Sequence, residues 1–150
     1  PNLVILQTFS KAWGMAGLRL GMAFASEEII EVLSKIKYPY NLSILTQQKA
    51  FELLADEQQK NGWVAIILKE REKLIENLKK YQFVIRIYPT DANFVLVKTH
   101  DPRGIYKYLV DKKIIIRDRS SISLCEGCLR ISIGSPEENK ALIDALNELI

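Results

Sequence analysis

The feature that most restricts the fold is the apolar run NLVILQTF, residues 2–9, which passes directly into SKAWGMAGLRLG. An unbroken apolar run of this length reads as a buried strand over residues 3–9, apolar on both faces of the pleat. Such a strand needs neighbours at both edges and cover on both faces. Nothing comes before it in these 150 residues, so the expectation is that they form the later part of a longer protein. Beyond the run, Gly14, Gly17 and Gly21 permit tight backbone paths, and LGMAFAS reads as a second short strand.

Helical signals follow. Ser26 suits an N-cap, with Glu27 and Glu28 where the helix dipole favours acids. Ile29, Ile30, Val32, Leu33 and Ile36 supply an apolar stripe, and Pro39 stops it. Ser43 can cap the next helix, which carries Leu45, Ala50, Leu53 and Leu54. Asn61–Gly62 marks a possible break. From Trp63 to Lys80 the pattern is helical. Val64, Ile67, Leu68, Leu74, Ile75 and Leu78 fall on one face, and Lys69, Glu70, Glu72, Lys73, Glu76 and Lys80 lie mostly on the other.

The period then shortens to that of strands. FVIRIYP and NFVLVK read as strands joined around Pro89–Asp91, Asp101–Pro102 opens a helix through Leu109, and KIIIRD reads as a strand. Residues 119–127 form a loop and CLRISIG a last strand. Ser135, Pro136 and Glu138 make a capping box with proline at the first helical position. The final helix runs through Leu142, Ile143, Leu146 and Ile150. A few strands with two or three helices make a compact α/β layer.

Composition narrows the function classes. The chain is 48% hydrophobic and 26% charged with a net charge of +3, which suits a globular core. Its basic residues are scattered, without the dense stripe that nucleic acid requires. No apolar run reaches the roughly 18 residues that span a bilayer, and no signal-peptide pattern is present. With only two cysteines, a cytoplasmic protein is the default expectation, with neither nucleic acid nor membrane as partner.

Lys11 sits where the first strand ends, and in α/β sheets ligands bind at the carboxyl ends of strands. The hydroxyls of Thr8 and Ser10 lie beside it and suit an anion. Arg19 adds a permanent guanidinium fitted to phosphate. A lysine amine becomes a nucleophile when burial or a nearby cation frees it of its proton, and it then condenses with an aldehyde. Amine, hydroxyls and guanidinium together fit an aldehyde that also carries a phosphate, which describes pyridoxal 5'-phosphate.

SKAWGMAGLRLG also resembles the lysine motif of the pyridoxal-phosphate enzymes of the aspartate aminotransferase fold. The longer resemblance, through YPTDANFVLV, IIIRDR and CLRISIG, is to the histidinol-phosphate aminotransferase family and covers nearly the whole chain in order. It implies an α/β fold made of the edge of the large cofactor domain (1–42), connecting helices (43–80) and the C-terminal small domain (81–150). It implies that Lys11 is the Schiff-base lysine and catalytic acid–base. Thr8, Ser10 and Arg19 would hold the cofactor phosphate. Arg117 and Arg130, thirteen positions apart, would grip the substrate's anionic group. Two guanidinium forks suit a site that must take histidinol phosphate and glutamate in turn. The resemblance further implies a role in histidine biosynthesis and a homodimer when full length. The family's aspartate on the pyridine nitrogen, its ring-stacking aromatic and its phosphate loop lie outside these residues, so the segment alone is expected to be inactive and to bind the cofactor poorly. An enzyme of the same fold acting on aromatic amino acids, a threonine-phosphate decarboxylase, and the ligand-sensing domain of a regulator are the alternatives.

CEGC places Cys125 and Cys128 in a C-x-x-C. With no second such motif and one histidine in the chain, it reads as a structural or incidental pair rather than a zinc or redox site, and no metal is expected. His100, beside Asp101 and Pro102, reads as part of a helix-start loop. Tyr38, Tyr40 and Asn41 read equally well as a packed loop and carry no assignment.

Overall fold

The computed structural model describes residues 2–149; Ile150, expected in the last helix, lies outside them. The chain divides into two compact units, Pro1–Val64 and Ala65–Ile150.

In the first unit β1 (Ile5–Thr8) pairs antiparallel with β2 (Gly21–Phe24), with Thr8 opposite Gly21. Within these residues the strand is uncovered. All four residues of β1 are exposed, Leu6 at 78%. A two-stranded ribbon gives β1 one neighbour, and the described residues supply neither a third strand nor a covering layer. Helix α1 (Glu27–Ile36) starts after Ser26, whose extended backbone fits an N-cap but whose hydroxyl accepts no capping bond; Glu27 and Glu28 occupy the first turn. Its stripe of Val32, Leu33 and Ile36 is also exposed. Helix α2 (Ile44–Leu54) is capped by Ser43, whose side chain accepts from Thr46 N–H at 3.0 Å.

Helix α3 (Glu57–Leu78) runs through Asn61–Gly62 without a break. One interior glycine costs about 1 kcal/mol against alanine, too little to interrupt a helix of 22 residues. The chain breaks earlier, and Asp56 caps α3 by accepting from Gln59 N–H at 2.9 Å.

In the second unit the order is β3 (Val84–Ile87), β4 (Phe94–Thr99), α4 (Pro102–Asp111), β5 (Arg117–Asp118), β6 (Cys128–Ser132) and α5 (Pro136–Asn147). The sheet order is β3-β4-β6-β5, antiparallel throughout. Along β4, strict alternation buries Val95 and Val97. They join Leu129 and Ile131 of β6 in one core with Leu74 and Leu78 of α3, Leu109 of α4, and Leu142 and Leu146 of α5. Alternation sends Phe94, Leu96, Lys98 and Arg130 to the opposite face. β5 is shorter than the expected KIIIRD strand because only Arg117 and Asp118 pair with β6. The expected capping box opens α5, and Asp101 caps α4. Asp101 accepts from Gly104 N–H at 2.9 Å, and Ser135 and Glu138 bond reciprocally.

Glu70 departs from the polar face expected of it and is 5% exposed. Its carboxylate accepts from Lys73 Nζ at 2.6 Å and from Asn139 Nδ2 at 3.2 Å. Those two hydrogen bonds, Lys73 first, hold its pKa below the ordinary carboxylate value. A partnered carboxylate tolerates burial that an unpartnered one would not. Among the described residues no helix is long and apolar enough to cross a membrane.

Candidate active site

Thr8 ends β1, and Ser10, Lys11 and Arg19 lie on the connection between β1 and β2. Phe9 N–H donates to Leu20 C=O at 3.3 Å, so Ser10 and Arg19 flank the last rung of the ribbon from opposite strands. Thr8 Oγ1 donates to Ser10 Oγ at 2.9 Å and accepts from Ser10 N–H at 3.1 Å. This local bond fixes both hydroxyls beside the lysine. A turn then closes from Gly14 N–H to Lys11 C=O at 2.9 Å, with Gly14 at φ +65°. Met15 is buried, and its N–H returns to Phe9 C=O at 3.0 Å. The start of α3 bears on the same loop, with Lys60 Nζ 5.0 Å from the Trp13 ring centre.

Arg19 adopts φ +53°, the left-handed region, although it is not glycine. That conformation costs about 1–2 kcal/mol, and such strain concentrates where ligands are held. One guanidinium nitrogen donates to Ala16 C=O at 3.1 Å, and a guanidinium has five N–H donors. No acidic residue occurs between Thr8 and Gly21. The loop therefore offers hydroxyls, an amine and a guanidinium, a donor set whose chemistry fits a phosphorylated aldehyde such as pyridoxal phosphate.

Arg117 and Arg130 belong to the second unit and stand directly opposite each other across β5 and β6. Like charges in that register repel. Among the described residues neither is ion-paired, and the buried Arg130 Nε has no hydrogen-bond partner. Two cations on one face with an unused buried donor suit the chemistry of an anion. The Arg130 guanidinium carbon lies 5.2 Å from the Phe94 ring centre. Phe94 as a platform for Arg130 escaped the sequence reading, because the contact depends on strand register; only its place in a period-2 strand pointed to that face. Arg86 and Lys98 form a second opposed cationic pair, across β3 and β4.

A family profile described as "Aminotransferase class I and II" matches residues 1–146. Histidinol-phosphate aminotransferase from Cytophaga hutchinsonii is 56% identical over 146 residues, which is 97% of this chain and 42% of that protein. The crystal structure of the histidinol-phosphate aminotransferase from Clostridium acetobutylicum overlays with a TM-score of 0.90 at 27% identity, covering 98% of this chain and 45% of that one. The corresponding enzyme from Sinorhizobium meliloti, solved in complex with pyridoxal-5'-phosphate, gives a TM-score of 0.84 at 26% identity over 100% of this chain and 42% of that one. The fold is thus that of the pyridoxal-phosphate aminotransferases, α/β as the sequence predicts. The chain belongs to the aminotransferase class I and II family. It spans 42% of the length of the Cytophaga relative.

Proposed function

We propose that the chain belongs to an aminotransferase that moves an amino group between glutamate and imidazole-acetol phosphate, forming histidinol phosphate in histidine biosynthesis. The observation that carries this reading is the opposed Arg117–Arg130 pair with its unused Nε donor, supported by the 56% identical relative of that name. Residues 1–42 are assigned to the large-domain edge, 43–80 to connecting helices and 81–150 to the small domain. The boundary between the compact units falls inside the connecting stretch.

Thr8, Ser10 and Arg19 would hold the phosphate of pyridoxal phosphate, and Lys11 Nζ its aldehyde carbon. When bound, the cofactor supplies an electron sink for charge developing at the substrate's α-carbon. Lys11 Nζ, once free, would take the proton from that carbon as general base and, as general acid, give it to the cofactor carbon that carried the aldehyde. The forks of Arg117 and Arg130 accept the phosphate of one substrate and a carboxylate of the other, since either oxyanion matches the same pair of N–H donors. A cytoplasmic homodimer completes the reading, as the family resemblance implies.

The test compares amino donors on the complete gene product: histidinol phosphate, phenylalanine and threonine phosphate. The reading requires kcat/KM for histidinol phosphate to exceed the other two by at least about tenfold, a difference of 1.4 kcal/mol. Equal or faster turnover of phenylalanine would make the protein an aromatic aminotransferase. Release of carbon dioxide from threonine phosphate would make it a decarboxylase.

A further inference from the structure

The loop between β5 and β6 ends in the turn Cys125-Glu126-Gly127-Cys128. Cys128 N–H donates to Cys125 C=O at 2.9 Å, and Gly127 sits at φ +77°. This is a four-residue turn of the kind that demands glycine at its third position. Its end Cα atoms lie within about 7 Å of each other, and a disulfide spans roughly 4.4–6.8 Å between Cα atoms. Both thiols are free; Cys125 is partly exposed and Cys128 buried. Lys98 lies opposite Cys128 in the β4–β6 register, and its side chain passes within about 3.6 Å of where a Cβ on Gly127 would stand.

The sequence alone favours an incidental pair, but from this turn we infer that Cys125 and Cys128 are a site of reversible oxidation, closing to an intramolecular disulfide in the presence of a peroxide or a small-molecule disulfide. With hydrogen peroxide, the Cys125 thiolate attacks one peroxide oxygen; the O–O bond breaks and hydroxide leaves, taking up a proton to become water. The Cys125 sulfur now carries OH. Cys128 sulfur then attacks Cys125 sulfur, the S–S bond forms, the S–O bond breaks, and a second water departs with the Cys128 proton. Two thiols are oxidised, one peroxide is reduced, and a dithiol reductant reverses the change.

The order follows from the surroundings. Cys125 meets the oxidant because it is the accessible sulfur. Burial raises the Cys128 thiol pKa and the adjacent Cys125 raises it further, while Lys98 acts in the opposite sense. Cys128 therefore serves as the resolving thiol, and the turn substitutes proximity for acidity. The closed ring ties down the loop joining the strands that carry Arg117 and Arg130, and ends two residues before Arg130.

The test needs no turnover. Trypsin releases Ser120–Arg130 with both cysteines inside. After peroxide or oxidised glutathione acts on the folded protein, that peptide should be lighter by two hydrogens and refuse alkylation until dithiothreitol restores both thiols. Cys125→Ser should abolish the loss. Gly127→Ala, strained at positive φ, should slow closure about tenfold. The inference is overturned if Cys125 stops at a mixed disulfide or an oxidised acid while Cys128 still alkylates, if the bond joins two chains, or if Gly127→Ala closes as fast as the parent.

Discussion

Replacing Arg130 with methionine should stabilise the protein and weaken substrate binding at once. Three contributions act on stability. Arg130 Nε is buried without a partner, and removing such a donor recovers about 1–3 kcal/mol. Arg130 faces Arg117 across β5 and β6, and relief of a directly opposed like charge returns about 0.2–1 kcal/mol. Against these, the guanidinium leaves the Phe94 ring at 5.2 Å, a loss of about 0.5–1 kcal/mol that a methionine sulfur on the same ring partly restores. The balance favours the variant by about 1 kcal/mol, or about 2–4 °C in Tm. Function moves the other way. A charge-assisted hydrogen bond contributes about 1.5–3 kcal/mol, so losing the fork should raise KM for histidinol phosphate at least about tenfold. Thermal unfolding and steady-state kinetics on one preparation read both effects. A variant that melts lower than the parent while its KM stays put would refute the assignment, because Arg130 would then be a structural residue.

Three further outcomes are expected. Leu109→Ala empties a fully buried position in the core of the second unit and should cost about 2–5 kcal/mol in denaturant unfolding. Gly62→Ala places a methyl group where nothing lies within 4 Å and should stabilise α3 by about 0.5–1 kcal/mol, visible as a higher unfolding midpoint. The Glu70 pKa is lowered by Lys73 and Asn139, so its stabilisation is present above the ordinary carboxylate range of about 4 and is lost as pH falls through the lowered folded value. Unfolding midpoints measured from pH 6 to pH 3 should therefore fall more steeply for the parent than for Glu70→Gln; parallel curves would count against the buried pairing.

Much of the fold was legible because its signals are local. Ser135, Pro136 and Glu138 announce a capping box through side chains that bond their own backbone, and NFVLVK announces a half-buried strand through its period of two. The sequence failed where distant partners decide. Glu70 has the spacing of a solvent-facing residue, and one of the two partners of its buried carboxylate, Asn139, lies far along the chain. At the candidate site, Lys11, Thr8, Ser10 and Arg19 were legible because one short stretch, from the end of β1 through the loop after it, carries them. That Arg117 opposes Arg130, and that Phe94 lies under Arg130, are consequences of register, which no single segment encodes.

In the proposed reading the amine of Lys11 holds the aldehyde of the cofactor. Incubating the complete gene product with pyridoxal phosphate, reducing with borohydride and mapping the modified peptide tests it most directly. A single stable adduct on Lys11 is expected. An adduct on any other lysine, with Lys11 unmodified, would contradict it.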